Sequence, residues 1–259
     1  MKNLRTYGSP PFSVVLVHGG PGGPGEMAPI ARKLEQHGYG VLEPLQTKDS
    51  LQEQVTELKD VLVEHANLPV TLIGHSWGAM LSFILAAKHP ELIKKLLLVA
   101  SSMFKAKDAQ NISKTRLARL CEEQRNHSKY LFSIIDKADN PDELFREIYN
   151  ISYQADIYDP LPASCELLAC QYHIFKSVWH DAEVLRESGE LLALGKQIKC
   201  KVVAIHGDYD AHPATLIKAS LNSVINNFAF VLLKNCGHYP WKERQACDAF
   251  YKVLFKELG

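Results

Sequence analysis

Six short apolar, β-branched runs punctuate the chain: Phe12 to Val17, Tyr39 to Leu42, Val70 to Ile73, Leu96 to Val99, Lys201 to Ile205 and Ala229 to Leu233. Most are continuous rather than alternating, which predicts strands buried on both faces, as in a parallel sheet. Between them the spacing becomes helical. Met27 to His37 carries apolar residues at helical intervals and stops at Gly38. Ser50 to Ala66 repeats Leu51, Val55, Leu58, Leu62 and Val63, with Ser50 and Glu53 spaced for a capping box. Trp77 to Lys88 is apolar nearly all round, the pattern of a buried helix. Strand and helix alternate, with connections long enough for right-handed crossovers. The prediction is an α/β fold with a doubly wound, mostly parallel sheet of about six strands.

The alternation stops after Ser101. From there to about Leu194 the pattern is helical and polar, with no strand-like run. Asn140-Pro141 supplies N-cap and N1 for a helix to about Tyr149. Leu161-Pro162 precedes a second helix, Ser164 to about Val178, carrying Leu167, Leu168, Tyr172 and Phe175. The chain thus divides into a core, residues 1–100 and 196–259, and a helical insertion, residues 101–195.

Charge and composition narrow the functional classes. The 259 residues carry 29 basic and 29 acidic side chains, for zero net charge, with 46% apolar residues. That is ordinary for a globular chain and offers no excess of Lys and Arg for phosphates, so a nucleic-acid partner is not expected. No polybasic run addresses an anionic membrane. Met1 to Pro10 has no apolar signal-peptide region, and no apolar stretch approaches the roughly 18 residues of a membrane span. Six cysteines, none in a Cys-x-x-Cys pair, fit free thiols in a reducing compartment. The expected setting is cytoplasmic, with a small-molecule substrate.

Four clusters can carry chemistry. Gly74-His75-Ser76-Trp77-Gly78 joins a predicted strand to a predicted helix, the context in which Gly-x-Ser-x-Gly presents a serine hydroxyl on a sharp turn. The helix N-terminus behind Ser76 favours a developing anion. His18-Gly19-Gly20-Pro21-Gly22-Gly23 follows another strand and lacks the spacing of a phosphate loop. It suits an oxyanion loop, so the N–H groups of Gly20 and Trp77 are expected to form the oxyanion hole, with His18 orienting the loop. Two later strands end in His206-Gly207-Asp208-Tyr209-Asp210 and Asn235-Cys236-Gly237-His238. An acid and an imidazole then stand at strand carboxyl ends, in the chain order Ser, acid, His. His238 is the base for Ser76, and Asp208 and Asp210 compete for the acid.

These motifs resemble the α/β-hydrolase superfamily over nearly the whole chain. His18 to Gly22 and Gly74 to Gly78 look like the oxyanion loop and nucleophile elbow of its prolyl-iminopeptidase branch. The resemblance assigns the acid to the last residue of Gly-x-x-Asp, Asp210, and reads residues 101–195 as a cap. It also implies that one or both strands of the usual opening hairpin are missing, since only 17 residues precede His18. The branch's Trp-x-x-Trp-Glu cap motif, whose acid binds a substrate amine, is not matched by Val178-Trp179-His180-Asp181-Ala182-Glu183. Glu143, Glu147, Asp156 and Glu166 read as solvated helix charges. His127, His173, His180 and His212 have no metal-ligand spacing.

The expectation is a serine hydrolase needing no cofactor or metal. Ser76, Asp210 and His238 would cleave a small ester or amide through an acyl-enzyme. The alternatives are an aminopeptidase of prolyl-iminopeptidase type and a non-catalytic ligand-binding protein on the same fold.

Overall fold

The computed structural model describes residues 3–162 and 167–259. The first half builds β1 (Leu4–Tyr7), β2 (Phe12–Val17), α1 (Ala28–Glu35), β3 (Gly40–Pro44), α2 (Leu51–His65), β4 (Val70–His75), α3 (Trp77–Lys88) and β5 (Ile93–Val99). Helices α4 (Ala106–Ala109), α5 (Ile112–Arg119), α6 (Glu122–Ile134), α7 (Pro141–Asp156), α8 (Tyr172–Glu187) and α9 (Glu190–Ala193) follow. The chain then closes with β6 (Lys201–Gly207), α10 (Ala214–Asn222), β7 (Phe228–Leu233) and α11 (Cys247–Leu258).

The seven strands form one sheet in the order β1-β3-β2-β4-β5-β6-β7, parallel except for β1, which runs antiparallel to β3. Six of them fall on the six predicted runs. The seventh, Leu-Arg-Thr-Tyr, is too short and polar to show a period, because it is a half-buried edge strand. It is held by Arg5, which pairs with Glu43 at 2.6 Å, and by the Tyr7 hydroxyl, which donates to the same carboxylate at 2.9 Å. One opening strand is therefore present, antiparallel at the sheet edge.

Strand pleating sorts the core into two layers. Val15, Val17, Leu72, Leu96, Leu98, Val202 and Ala204 face α2, α3 and α10, whereas Val14, Leu16, Ile73, Leu97, Val99, Val203 and Ile205 face α1 and α11. Ser50 caps α2 as its spacing predicts, accepting from the Glu53 N–H at 3.3 Å and donating to the Glu53 carboxylate at 2.8 Å.

The segment between β5 and β6 is less separate than its composition implies. Leu131, Ile135, Phe145, Ile148 and Cys170 make a small core of their own. Helix α8, however, sends Ile174, Val178 and Ala182 into the main core. It begins at Tyr172 rather than Ser164, and Ser164 itself lies outside the described residues. Leu168 and Gln171 do not continue a helix backwards, because their N–H groups donate to the carbonyls of Pro24 and Gly22 at 3.0 and 2.8 Å. Gly22 permits that approach: a Cβ there would lie 2.3 Å from the Gln171 carbonyl oxygen. Helix α7 outruns its prediction and ends at Asp156.

Phe83 of α3 is fully buried, with its ring centroid 4.9 Å from that of Phe104 just beyond β5. Phe83→Ala is expected to destabilise the protein by about 3–5 kcal/mol in chemical denaturation. The cavity would form where α3 meets the chain leaving the sheet.

Candidate active site

The turn from β4 into α3 is strained where the sequence motif requires it. Ser76 has φ 52° and ψ −114°, outside the region an ordinary serine adopts. Its N–H donates to the Val99 carbonyl on β5 at 3.0 Å, which pins the elbow to the sheet. Gly78, two residues on, lies against the end of β2: a Cβ there would sit 2.2 Å from the Val17 carbonyl oxygen and 2.4 Å from that of His18. That contact brings the loop after β2 beside Ser76.

The three residues expected to form a triad come together. His238 Nε2 is 2.9 Å from Ser76 Oγ, and His238 Nδ1 is 2.7 Å from Asp210 Oδ2. Ser76 is partly accessible, while His238 and Asp210 are buried. Asp208 is elsewhere, its carboxylate accepting from the Cys236 N–H at 3.4 Å and lying 3.5 Å from Lys234 Nζ. It closes the β6–β7 ends. Gly20 has φ +45°, open space where a Cβ would be, and borders the same cavity as Trp77.

The electrostatics follow from burial and neighbours. Burial disfavours an imidazolium at His238, but the Asp210 charge and hydrogen bond outweigh it and raise its pKa above the ordinary 6.5. Burial likewise opposes ionisation of Asp210, yet the His238 charge and the hydrogen bond from His212 hold its pKa well below the usual carboxylate value. His212, two residues from the acid, was given no role by the sequence pattern. Its backbone N–H and ring Nδ1–H both donate to Asp210 Oδ1 at 2.8 Å. Burial pushes its own pKa down to about 4, so it stays neutral and serves as a donor. Asp210, His212 and His238 offer ligand atoms within 4.8 Å of one another, the donor set of a small metal site, but here those donors are engaged with each other.

Behind the elbow lies a second pair that the sequence motifs did not single out. Glu26 and His75 are buried, and Glu26 Oε1 is 2.5 Å from His75 Nδ1. The same oxygen accepts the Gly19 N–H at 2.6 Å, and His75 Nε2 lies 2.9 Å from the His238 carbonyl oxygen. Both ring nitrogens of His75 thus face acceptors. One pair joins the Gly-rich loop, the elbow and the histidine loop. Burial alone would raise Glu26; the charge of His75 and the hydrogen bonds outweigh it and hold the pKa down at about 2. His18 orients the loop from the other side. Its Nδ1–H donates to the Gly19 carbonyl at 2.8 Å, and its Nε2 accepts the Gln46 N–H at 3.1 Å. Gln46 in turn accepts from the Trp77 indole at 2.8 Å.

A cavity of about 480 Å³ opens over Ser76, roofed by α5, α7 and α8. Asp156 does not behave as a solvated charge. It is buried and meets Arg116 through two contacts of 2.8 and 2.6 Å, while its carbonyl accepts the His238 N–H at 2.7 Å. Glu143 and Glu147 are exposed as expected, and Glu166 lies outside the described residues.

A family model for the alpha/beta hydrolase fold matches residues 47–129. A 68-residue stretch is 32% identical to human epoxide hydrolase 4, covering 26% of this chain and 19% of that protein's length. Solved structures match over nearly the whole chain. VinJ aligns with a TM-score of 0.69 at 20% identity, covering 98% of this chain and 93% of its own. A Nitrososphaera gargenis carboxylesterase gives 0.64 at 20%, with the same two coverages of 98% and 93%. The monoacylglycerol lipase of Paleococcus ferrophilus gives 0.63 at 17%, covering 100% and 98%.

Removing one partner of the Glu26–His75 pair strands the other without water, so Glu26→Ala is expected to cost about 3–5 kcal/mol in denaturant. The pH dependence has a defined sign. A carboxylate whose pKa falls from 4.5 unfolded to about 2 folded stabilises fully above 4.5 and loses that contribution as pH falls toward 2. The stability gap between wild type and Glu26→Gln should therefore narrow over that window in parallel urea titrations.

Proposed function

We propose that this chain, whose fold is that of the α/β hydrolases, is a serine hydrolase that cleaves a small ester or amide through an acyl-enzyme. The observation that carries the reading is the unbroken series Asp210, His238, Ser76, with contacts of 2.7 and 2.9 Å, beneath a cavity of about 480 Å³. Ser76 Oγ attacks the carbonyl carbon as His238 Nε2 takes its proton. Asp210 holds the ring with Nδ1–H inward and stabilises the imidazolium. The N–H groups of Gly20 and Trp77 receive the oxyanion, and the N-terminus of α3 adds partial positive charge. His238 then protonates the leaving group. It next takes a proton from water, which attacks the acyl carbon and frees Ser76.

The ester is the favoured substrate. Structural relatives include a carboxylesterase and a monoacylglycerol lipase, which supports acyl-ester chemistry. An aminopeptidase needs a free carboxylate for the substrate amine. Among the described cavity residues, Glu26 is paired with His75, Asp156 with Arg116, and Glu183 is exposed at the rim. The aminopeptidase reading therefore stands second, and prolyl and alanyl arylamides assayed beside p-nitrophenyl esters separate the two. A purely ligand-binding role leaves the strained elbow and aligned imidazole without a use. The described free cysteines suit a reducing compartment such as the cytoplasm.

Ser76→Ala should abolish turnover and fluorophosphonate labelling, read by intact mass, without unfolding the protein. Asp210→Asn should lower kcat by about four orders of magnitude with KM nearly unchanged, because the imidazole then settles in the wrong tautomer. Asp208→Asn should retain most activity, and the reverse pattern moves the acid to Asp208. Since His238 must be neutral to accept the proton and its pKa is raised, the acid limb of kcat/KM should have its midpoint above pH 6.5.

A further inference from the structure

The cavity wall holds a cation that the triad does not use. Arg186, in the last turn of α8, is only 6% exposed, yet it lines the cavity. Its Nε and Nη2 are sealed from water and have no hydrogen-bond acceptor. Those two nitrogens form one edge of the guanidinium, the side-on fork whose parallel N–H groups match the two oxygens of a carboxylate. No ion pair involves Arg186 among the described residues. Glu183 and Glu187 on the same helix are exposed and lend only distant attraction. Arg116, the cavity's other arginine, is already satisfied by Asp156.

A buried cation without a counter-charge is costly, and burial accordingly weakens the guanidinium's hold on its proton. It lies over an aromatic face, with the Arg186 guanidinium carbon 5.2 Å from the Trp179 ring centroid. The same ring meets that of Trp77, the residue after the proposed nucleophile, at 6.0 Å. A chain of two ring contacts thus links the unpaired fork to the reacting centre. An anion that meets the fork relieves two unsatisfied donors.

We propose that the cavity is built for a substrate bearing a carboxylate, which docks on Arg186 while its ester or amide lies at Ser76. The proposal rests on the serine-hydrolase reading and adds the substrate's charge. It predicts that acids, not neutral acyl chains of equal length, are the preferred substrates.

The test uses p-nitrophenyl hemiesters of dicarboxylic acids, from adipate to suberate, each beside the neutral ester of the same chain length. Butyrate esters of 4-hydroxybenzoate and of phenol place the charge on the leaving group instead. Wild type should favour the charged member of at least one pair, and the pair that responds identifies the side of the scissile bond that Arg186 reads. Arg186→Met should reduce the charged-to-neutral ratio of kcat/KM on the order of 10- to 100-fold, and Arg186→Lys should restore part of it. Calorimetric titration of Ser76→Ala with adipate, and separately with inorganic phosphate, reads the subsite without turnover. Adipate binding that vanishes in Ser76→Ala/Arg186→Met supports it; phosphate binding in place of adipate overturns the carboxylate assignment. A wild type that hydrolyses neutral esters without preferring any acid overturns the subsite alone. Persistent turnover in Ser76→Ala overturns the hydrolase reading beneath it. If Arg186→Met is unfolded by circular dichroism, Arg186→Gln, which keeps polarity without charge, replaces it in the same ratio.

Discussion

The site depends on how closely a helix start is pressed against a strand end. Gly78 of α3 lies so near the carbonyls of Val17 and His18 that no side chain fits between them. From this contact the site follows. It sets the distance between β2 and α3 and brings the Gly-rich loop level with Ser76, whose strained backbone is pinned by its N–H bond to Val99. The strain is local, and the parallel sheet buried on both faces is the rigid body that bears it.

Two buried carboxylates then perform different tasks with the same chemistry. Asp210 is met by three histidines, and its negative charge raises the proton affinity of His238. Glu26 is met by one histidine and a backbone N–H, and its charge is used to tie loops together. The distinction lies in what each imidazole faces on its far side. His238 turns Nε2 to a serine hydroxyl, whereas His75 turns Nε2 to a carbonyl. A ring that ends on a hydroxyl can exchange a proton; one that ends on a carbonyl can only donate.

The sequence was most informative where chain-local rules apply. The six long strands, the capped α2 and the all-apolar α3 follow from period and capping. The residues brought together at the strand ends follow from motif and chain order. What escaped notice depends on partners distant in sequence. The edge strand Leu4–Tyr7 owes its place to Glu43, and nothing in four half-polar residues announces that. Asp156 reads as one more acid on a helix until Arg116, forty residues earlier, removes it from water. Glu26 and His75 are 49 positions apart, and no spacing rule joins them. Periodicity starts helix α8 too early because the residues before it give their N–H groups to the Gly-rich loop, a competition that helical spacing does not encode.

The roof of the cavity is sewn to the base beneath it. Asp156 holds the backbone of His238, and Arg119 spans the carbonyls of Ala155 and Tyr209. Glu243 binds the N–H groups of Tyr158, Asp159 and Gly237 at once. Here the stitches run through the very loops that carry the acid and the histidine. A transplanted lobe would have to bring Asp156, Arg119 and the partners of Glu243 with it, so changes in the cavity lining disturb these loops less than replacement of the whole lobe.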